Sequence, residues 1–536
     1  MRQNSIFYEF LLLGKRYELL LPFFLGSVFL PLCVLPFLPG WEPSKWLLLY
    51  LITSASLIFF NYRNTFFVPR LTLFQKYILY LLLFVSLFNF FYHRVSPFEK
   101  ESTDRILFWV MFFYYCSSLK FLNVPDKKYL FIPLFIATGI FIACAFLNFI
   151  FFDGFLASSF HNINKSAEFV GFSVALQMGF LSQYKDRLYN FILLLISSSI
   201  VYIYFTKCRS VSLGIIFVIA YLVWAKKMSL KSLIFILLGA CFLGGFFEIV
   251  FHYLGVFPTD LSYKWGSTVE RWHLILNTFS LFLDFPLGVG LGRYAFASIP
   301  YMKDLPNNAF NEGYFIFSPY NEPLRFLVED GFIVCTLLFL FLSSFVFPFQ
   351  KLKKISETCP EAIAFLIFFI SQSFFQFPLI QPFPLFLIPF VLALTVFHTH
   401  ELRPIKVPFF QWIGRSIGLY SCFFGVVFVS SLFIAVNFIH DIKLNKIIYR
   451  FWKDKKIMEN ILFSTYVDGD YEETQKYALE ALKNEPQNLF AIKYLGLSTL
   501  FLGNKKLGCF YLIKYDAAYP DPSSVSEQIK KYCETP

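Results

Sequence analysis

Residues 189–225 read YNFILLLISSSIVYIYFTKCRSVSLGIIFVIAYLVWA, two apolar runs separated only by Thr206, Lys207, Cys208 and Arg209. A helix needs about 20 apolar residues to cross a hydrocarbon core, so the stretch predicts two membrane helices joined by a very short, cationic turn. The same pattern recurs on both sides of it. Candidate spans fall at 18–38, 46–62, 71–92, 105–121, 129–152, 166–184, 189–206, 210–225, 231–254, 323–348, 361–378, 383–398 and 416–437, about thirteen in all. Composition agrees: 57% of the 536 residues are hydrophobic and only 15% charged, against about 25% charged in an ordinary soluble domain. So few charges cannot cover so much apolar surface in water. The expected fold class is all-α, a polytopic membrane helix bundle of about 12–13 transmembrane helices followed by a soluble helical-repeat domain. The first span has no small-residue cleavage site behind it and reads as an anchor.

The net charge of +11 sits in short clusters between apolar runs, which is the distribution of a topology signal and not of a nucleic-acid footprint. Placing the N-terminus in the cytoplasm puts 20 Lys and Arg on that side and 7 on the short loops opposite. The segment 255–322 and the chain beyond 440 then both lie outside the cytoplasm, in the periplasm of a bacterium. Residues 1–439 are expected to form the membrane domain and 440–536 a separate periplasmic piece. The ten cysteines show no CxxC pair and no metal-ligand spacing, and read as small buried hydrophobes. Cys509 and Cys533, both in the tail, are the pair to test for a disulfide.

The tail carries an internal repeat. ILFSTYVDGD at 461–470 overlays LGLSTLFLGN at 495–504, and the same offset of 34 relates Gly469 to Gly503 and Pro486 to Pro520. A 34-residue period with Gly at the inter-helix turn resembles the tetratricopeptide repeat. Residues 440–460 or the membrane surface are expected to cap it. A concave surface for a protein partner and a plain stabilising spacer remain equal readings.

Four polar stations gather on the outer side of the predicted bundle. The first is His161-Asn162-Ile163-Asn164-Lys165-Ser166-Ala167-Glu168; the second is Lys207-Cys208-Arg209-Ser210. The third is Arg271-Trp272, opening an apolar run at 272–283 that is too short to span and is expected to lie in the interface, followed by Pro286-Leu287-Gly288-Val289-Gly290-Leu291-Gly292. No lysine follows those glycines and no βαβ unit surrounds them, so tight turning is favoured over phosphate binding. The fourth is Tyr320-Asn321-Glu322-Pro323-Leu324-Arg325, running into Glu329-Asp330-Gly331. Cations at membrane boundaries often only anchor a helix; four stations on one side favour an extracytoplasmic polar site.

In order, spacing and side of the membrane these motifs resemble the O-antigen ligase and polymerase superfamily, bacterial membrane glycosyltransferases of the GT-C type. The likeness covers 160–335 in motifs and 1–437 in hydropathy. It implies transfer of a glycan from undecaprenyl diphosphate to an acceptor hydroxyl at the periplasmic face of the inner membrane, without metal or other cofactor. By this resemblance Arg209 and Arg271 grip the diphosphate, and Asn164, Lys207, Trp272, Asn321 and Arg325 line the substrate. Guanidinium groups suit that task, since they bind phosphate oxygens in pairs and steady the charge on the leaving group.

One position departs: Tyr320 stands where the family has histidine. With a reference pKa of about 10, tyrosine is a poor base near neutrality. Either Tyr320 positions a substrate, or Glu322 or His273 is the base, or activity is altered or lost; positioning with Glu322 nearby is slightly preferred. The acceptor is open among lipid A core, a growing glycan and a protein hydroxyl, with the tail tilting towards a protein. A transporter or flippase of lipid-linked glycan is the alternative of another class, and a scaffold presenting the tail is a third.

Overall fold

The computed structural model describes residues 20–33, 42–60, 66–93, 100–122, 130–151, 158–160, 162–183, 187–253, 263–298, 301, 319–346, 349–376, 378–405, 416, 419–423, 425–427, 441–451, 455–484, 488–518 and 525–533. In chain order the helices are α1 (Leu21–Leu32), α2 (Glu42–Phe60), α3 (Leu73–Tyr92), α4 (Lys100–Leu122), α5 (Ile132–Phe151), α6 (Ile163–Leu181), α7 (Arg187–Thr206), α8 (Arg209–Trp224) and α9 (Leu230–Tyr253). Then follow α10 (Tyr263–Asp284), α11 (Tyr294–Ala297), α12 (Glu322–Val346), α13 (Phe349–Thr358), α14 (Pro360–Phe375) and α15 (Pro382–Thr399). The tail adds α16 (Ile442–Phe451), α17 (Lys455–Val467), α18 (Tyr471–Asn484), α19 (Leu489–Phe501), α20 (Lys505–Ala518) and α21 (Val525–Tyr532). Twelve of the thirteen expected spans coincide with helices; the span at 416–437 lies mostly outside the described residues. This is an all-α, multi-pass membrane protein.

Among the described residues, five helices are long and apolar enough to cross a membrane: Ile132–Phe151, Leu188–Thr206, Leu230–Val250, Glu322–Phe345 and Pro382–Thr399. Others, such as α8 and α14, are shorter, because polar turns and prolines cut them to 16 residues each. The run at 272–283 is longer than its apolar stretch suggests: its helix, α10, starts back at Tyr263 and covers 22 residues. The expectation of buried cysteines holds for Cys116, Cys208 and Cys359 but not for Cys144 and Cys241, which are exposed. In a membrane helix the apolar surroundings of such a thiol can be lipid as well as protein.

The chain divides into two units, Met1–Leu79 with Thr103–Asp260 and Phe339–Gly425, and Tyr80–Ser102 with Leu261–Leu338 and Val426–Pro536. In the first, α6 is buried along nearly its whole length and packs against α7, α8 and α14. The close approach of α6 to α14 requires glycine, because a Cβ on Gly179 would stand 2.3 Å from the Glu361 Cα. One element was not expected. Strand β1 (Phe66–Pro69) pairs antiparallel with β2 (Leu402–Ile405), Phe66 opposite Ile405 and Pro69 opposite Leu402. The charge count had put both loops on one side of the membrane, and the ribbon joins them.

In the tail, α17 and α19 start and end 34 residues apart, as do α18 and α20, and Gly469 and Gly503 take positive φ at equivalent turns. Tyr449 of α16 enters the same core as Ile461, Leu495 and Leu512, so residues before the repeat close one end of it. Cys509 and Cys533 are joined by a disulfide.

Candidate active site

In the second unit, α10 buries Leu274, Thr278 and Leu281 along one stripe. Arg271 lies one turn before Leu274 on that stripe and is half-buried, while Trp272 points away and is 60% exposed. The Arg271 guanidinium carbon sits 4.5 Å from the centre of the Tyr320 ring, a cation–π contact. Tyr320 itself packs on the small core of Leu274, Leu281, Tyr294, Ala297 and Val328. Its φ of 53° lies in the left-handed region, which costs a non-glycine residue on the order of 1 kcal/mol or more and is typical of functional positions. Buried Tyr294 bonds Thr278 at 2.7 Å beneath it. Tyr301 donates to Asp284 Oδ2 at 2.6 Å, and its hydroxyl is pushed up to about 12 by burial and by that carboxylate.

Asn321 caps α12: its side-chain oxygen accepts from the Leu324 amide at 2.9 Å. Beyond the cap, Glu322, Arg325 and Glu329 fall at i, i+3 and i+7, one helical stripe, and all three are buried. Arg325 bonds Glu322 Oε1 at 2.5 Å and stands 3.9 Å from Glu329 Oε2. Three of the candidate residues therefore have internal partners: Asn321 by its cap, and Glu322 and Arg325 by each other.

The glycines at 286–292 have a structural task. Helix α12 breaks at Gly331 (φ 82°, ψ 166°), and the break frees backbone groups that lipid could not satisfy. The glycine loop takes them up: Val289 N donates to Val328 O at 2.8 Å, Gly290 N to Glu329 O at 3.1 Å, and Phe332 N to Pro286 O at 2.9 Å. A Cβ on Gly331 would come within 2.3 Å of the Leu287 carbonyl carbon, and one on Gly288 within 2.7 Å of Glu329 O. The C-terminal end of α3 braces this joint. Asn89 donates to Asp330 O at 2.9 Å and Arg293 to His93 O at 2.5 Å. Burial, and then the charge of Arg293, hold the His93 imidazole below its usual range.

The first unit holds the other two stations. Lys207 makes the reversal between α7 and α8 with φ 51°, and Arg209 is the exposed first residue of α8. The helix dipole is positive at this end and disfavours cations by about 0.3–1 kcal/mol each, and two cations stand there. The turn is gripped from α14: Gln372 Nε2 donates to Ser210 O at 2.9 Å and Gln376 Nε2 to Ser210 Oγ at 3.3 Å. Gln381 Nε2 donates to buried Glu168 Oε2 at 2.6 Å. Asn162 caps α6, accepting from the amides of Asn164 and Lys165 at 2.9 and 3.3 Å, and Asn164 is half-buried. His161 lies outside the described residues. The three glutamines escaped the sequence reading, although amides inside apolar runs are a readable signal.

The structure thus brings together Arg271, Tyr320, Asn321, Glu322 and Arg325 in one unit, and Asn164, Lys207 and Arg209 belong to the other. Residues 191–339 match the family model described as O-Antigen ligase. No curated protein matches the chain. The matched stretch contains Arg209, Arg271, the glycine loop and the kink of α12, and it ends before the glutamines of α14. At residues 191–339 the chain carries a domain of the O-antigen ligase/polymerase superfamily, a family of glycosyltransferase-like membrane enzymes.

Proposed function

We propose that the protein transfers a glycan from undecaprenyl diphosphate to an acceptor hydroxyl at the periplasmic face of the inner membrane. The observation that carries this reading is Arg271 seated on the ring of a strained Tyr320 within the matched stretch. The contact fixes the guanidinium, the group whose planar fork suits phosphate oxygens, over the ring. Arg271 binds the diphosphate and stabilises the charge that grows on it as the glycosidic oxygen leaves, a task that calls for no metal ion; Arg209 is proposed as an anion-binding cation of the other unit. Tyr320 positions Arg271, and Glu322 with Arg325 hold the start of α12 beneath it. The buried ion pair favours this supporting role over that of a general base. The Cys509–Cys533 disulfide fits a tail in an oxidising compartment, and so the periplasm. Its tetratricopeptide-like helices suit a protein partner, which favours a protein hydroxyl slightly over lipid A core or a growing glycan.

Full-length protein in proteoliposomes, given radiolabelled lipid-linked glycan and acceptor, tests the reading. Breakage of the pyrophosphate linkage is expected, and Arg271→Ala should cut it by at least ~100-fold. Movement of intact donor across the bilayer without breakage would establish a flippase instead. Tyr320→His that leaves transfer unchanged would remove Tyr320 from the site.

A further inference from the structure

One buried cation is not used by the site described above. Lys45, in the first turn of α2, is completely buried. Its Nζ bonds the carbonyl oxygens of Leu30 at 3.0 Å, Pro31 at 3.2 Å and Cys33 at 3.3 Å, and Ser159 Oγ at 3.1 Å. It also stands 4.3 Å from the centre of the Phe160 ring. Ser159 in turn donates to the Pro31 carbonyl. Leu30, Pro31 and Cys33 form the C-terminal end of α1, where carbonyls lack helical partners and the dipole is negative. Among the described residues, four oxygens and one ring face gather around this nitrogen, like the shell that carbonyls build around a bare monovalent cation. An ammonium offers three N–H donors to this shell, whereas a neutral amine would turn its lone pair against an oxygen.

Ser159 and Phe160 belong to a short 3-10 turn, and Asn162, the cap of α6, stands two positions after Phe160. The cap fixes the first turn of α6, which carries Asn164. We propose that Lys45 is a tethered monovalent cation that locks the end of α1 to the 158–160 turn and thereby positions the start of α6. It is a positioning residue for the substrate-lining station at 162–168. The cage stands on its own geometry; only the link to glycan transfer rests on the proposed function.

The test is chemical rescue of full-length Lys45→Ala in nanodiscs, with n-propylammonium as the missing side chain and n-propanol as an uncharged match. Two readouts are followed well below the melting temperature. Hydrogen exchange over 158–168 reports the turn directly and needs no activity; transfer of a membrane-extracted lipid-linked glycan reports the site. Exchange is expected to rise ~10-fold or more, as for local opening, and transfer to fall ~10-fold or more, as for a misplaced substrate contact. Propylammonium should reverse both in a saturable manner, and propanol neither. Native exchange in the alanine variant, or equal rescue by propanol, would overturn the proposal. If the native protein shows no transfer, the functional reading fails while the exchange arm still decides on the cage. Should Lys45→Ala not accumulate, Ser159→Ala, which removes one oxygen and keeps the lysine, is expected to raise exchange over the same residues; unchanged exchange would overturn it equally.

Discussion

The two corners that carry the candidate arginines hold their charge by different means. Arg271 lies on an aromatic ring at the end of a buried helical stripe, and the ring belongs to a residue in strained backbone. Arg209 starts a helix without side-chain capping from Cys208, and two glutamines of α14 hold its neighbour Ser210. In the first case the guanidinium is placed by its flat shape; in the second, a cation stands at a helix N-terminus. Arg325 shows the contrast from the other side, a buried cation standing between two buried carboxylates of its own helix.

Lysine substitution breaks the comparison most sharply. Arg271→Lys is expected to lose about as much transfer as Arg271→Ala, ~100-fold, because an ammonium cannot lie flat on the ring and donate from its edges. Arg209→Lys should lose only ~10-fold, a point charge sufficing at a helix N-terminus. Equal losses in the lipid-linked glycan assay would erase the distinction.

A smaller effect tests the glutamine grip. Gln372→Leu removes the donor to Ser210 O and should lower transfer ~5- to 10-fold, near the value of one buried hydrogen bond, about 1 kcal/mol. Gln183→Ala, whose bonds to Thr358 and Glu361 lie at the opposite end of α14, should leave transfer unchanged.

Smaller still is the pH response of the joint around the glycine loop. His93 is held below its ordinary value of 6.5 by burial and by Arg293, so the folded state binds fewer protons there than the unfolded state. Its contribution to stability is complete above pH 6.5 and is lost as the pH falls. Thermal unfolding at pH 7.5 and pH 5 should show a drop that His93→Gln reduces; an unchanged drop would remove His93 as its source.

The membrane helices were legible because lipid imposes a simple rule on apolar run length. The tail repeat was legible because a 34-residue offset survives in the sequence, and it returns in the bounds of α17 to α20. The candidate site was legible as residue types at the ends of apolar runs, and less so in the partners those residues take. Glu322, Arg325 and Glu329 already carry ion-pair spacing in the sequence, but nothing there says that all three are buried together. Asn321 likewise has the look of a helix cap as much as of a substrate contact. Lys45 could not have been found this way: among its partners are backbone carbonyls of α1 and a serine 114 residues away, and no side-chain pattern announces a carbonyl cage.

The β1–β2 ribbon has a consequence for biosynthesis. Arg70 at its edge bonds Glu401, a residue 331 positions later. At the usual rate of about 5–20 residues per second, the first strand emerges and then waits roughly 15–65 s for its mate. During that interval the early helices are already in the bilayer with an open backbone edge at its surface. Closing the ribbon is thus a late event in assembly, a clasp that fastens only after nearly every span has been threaded.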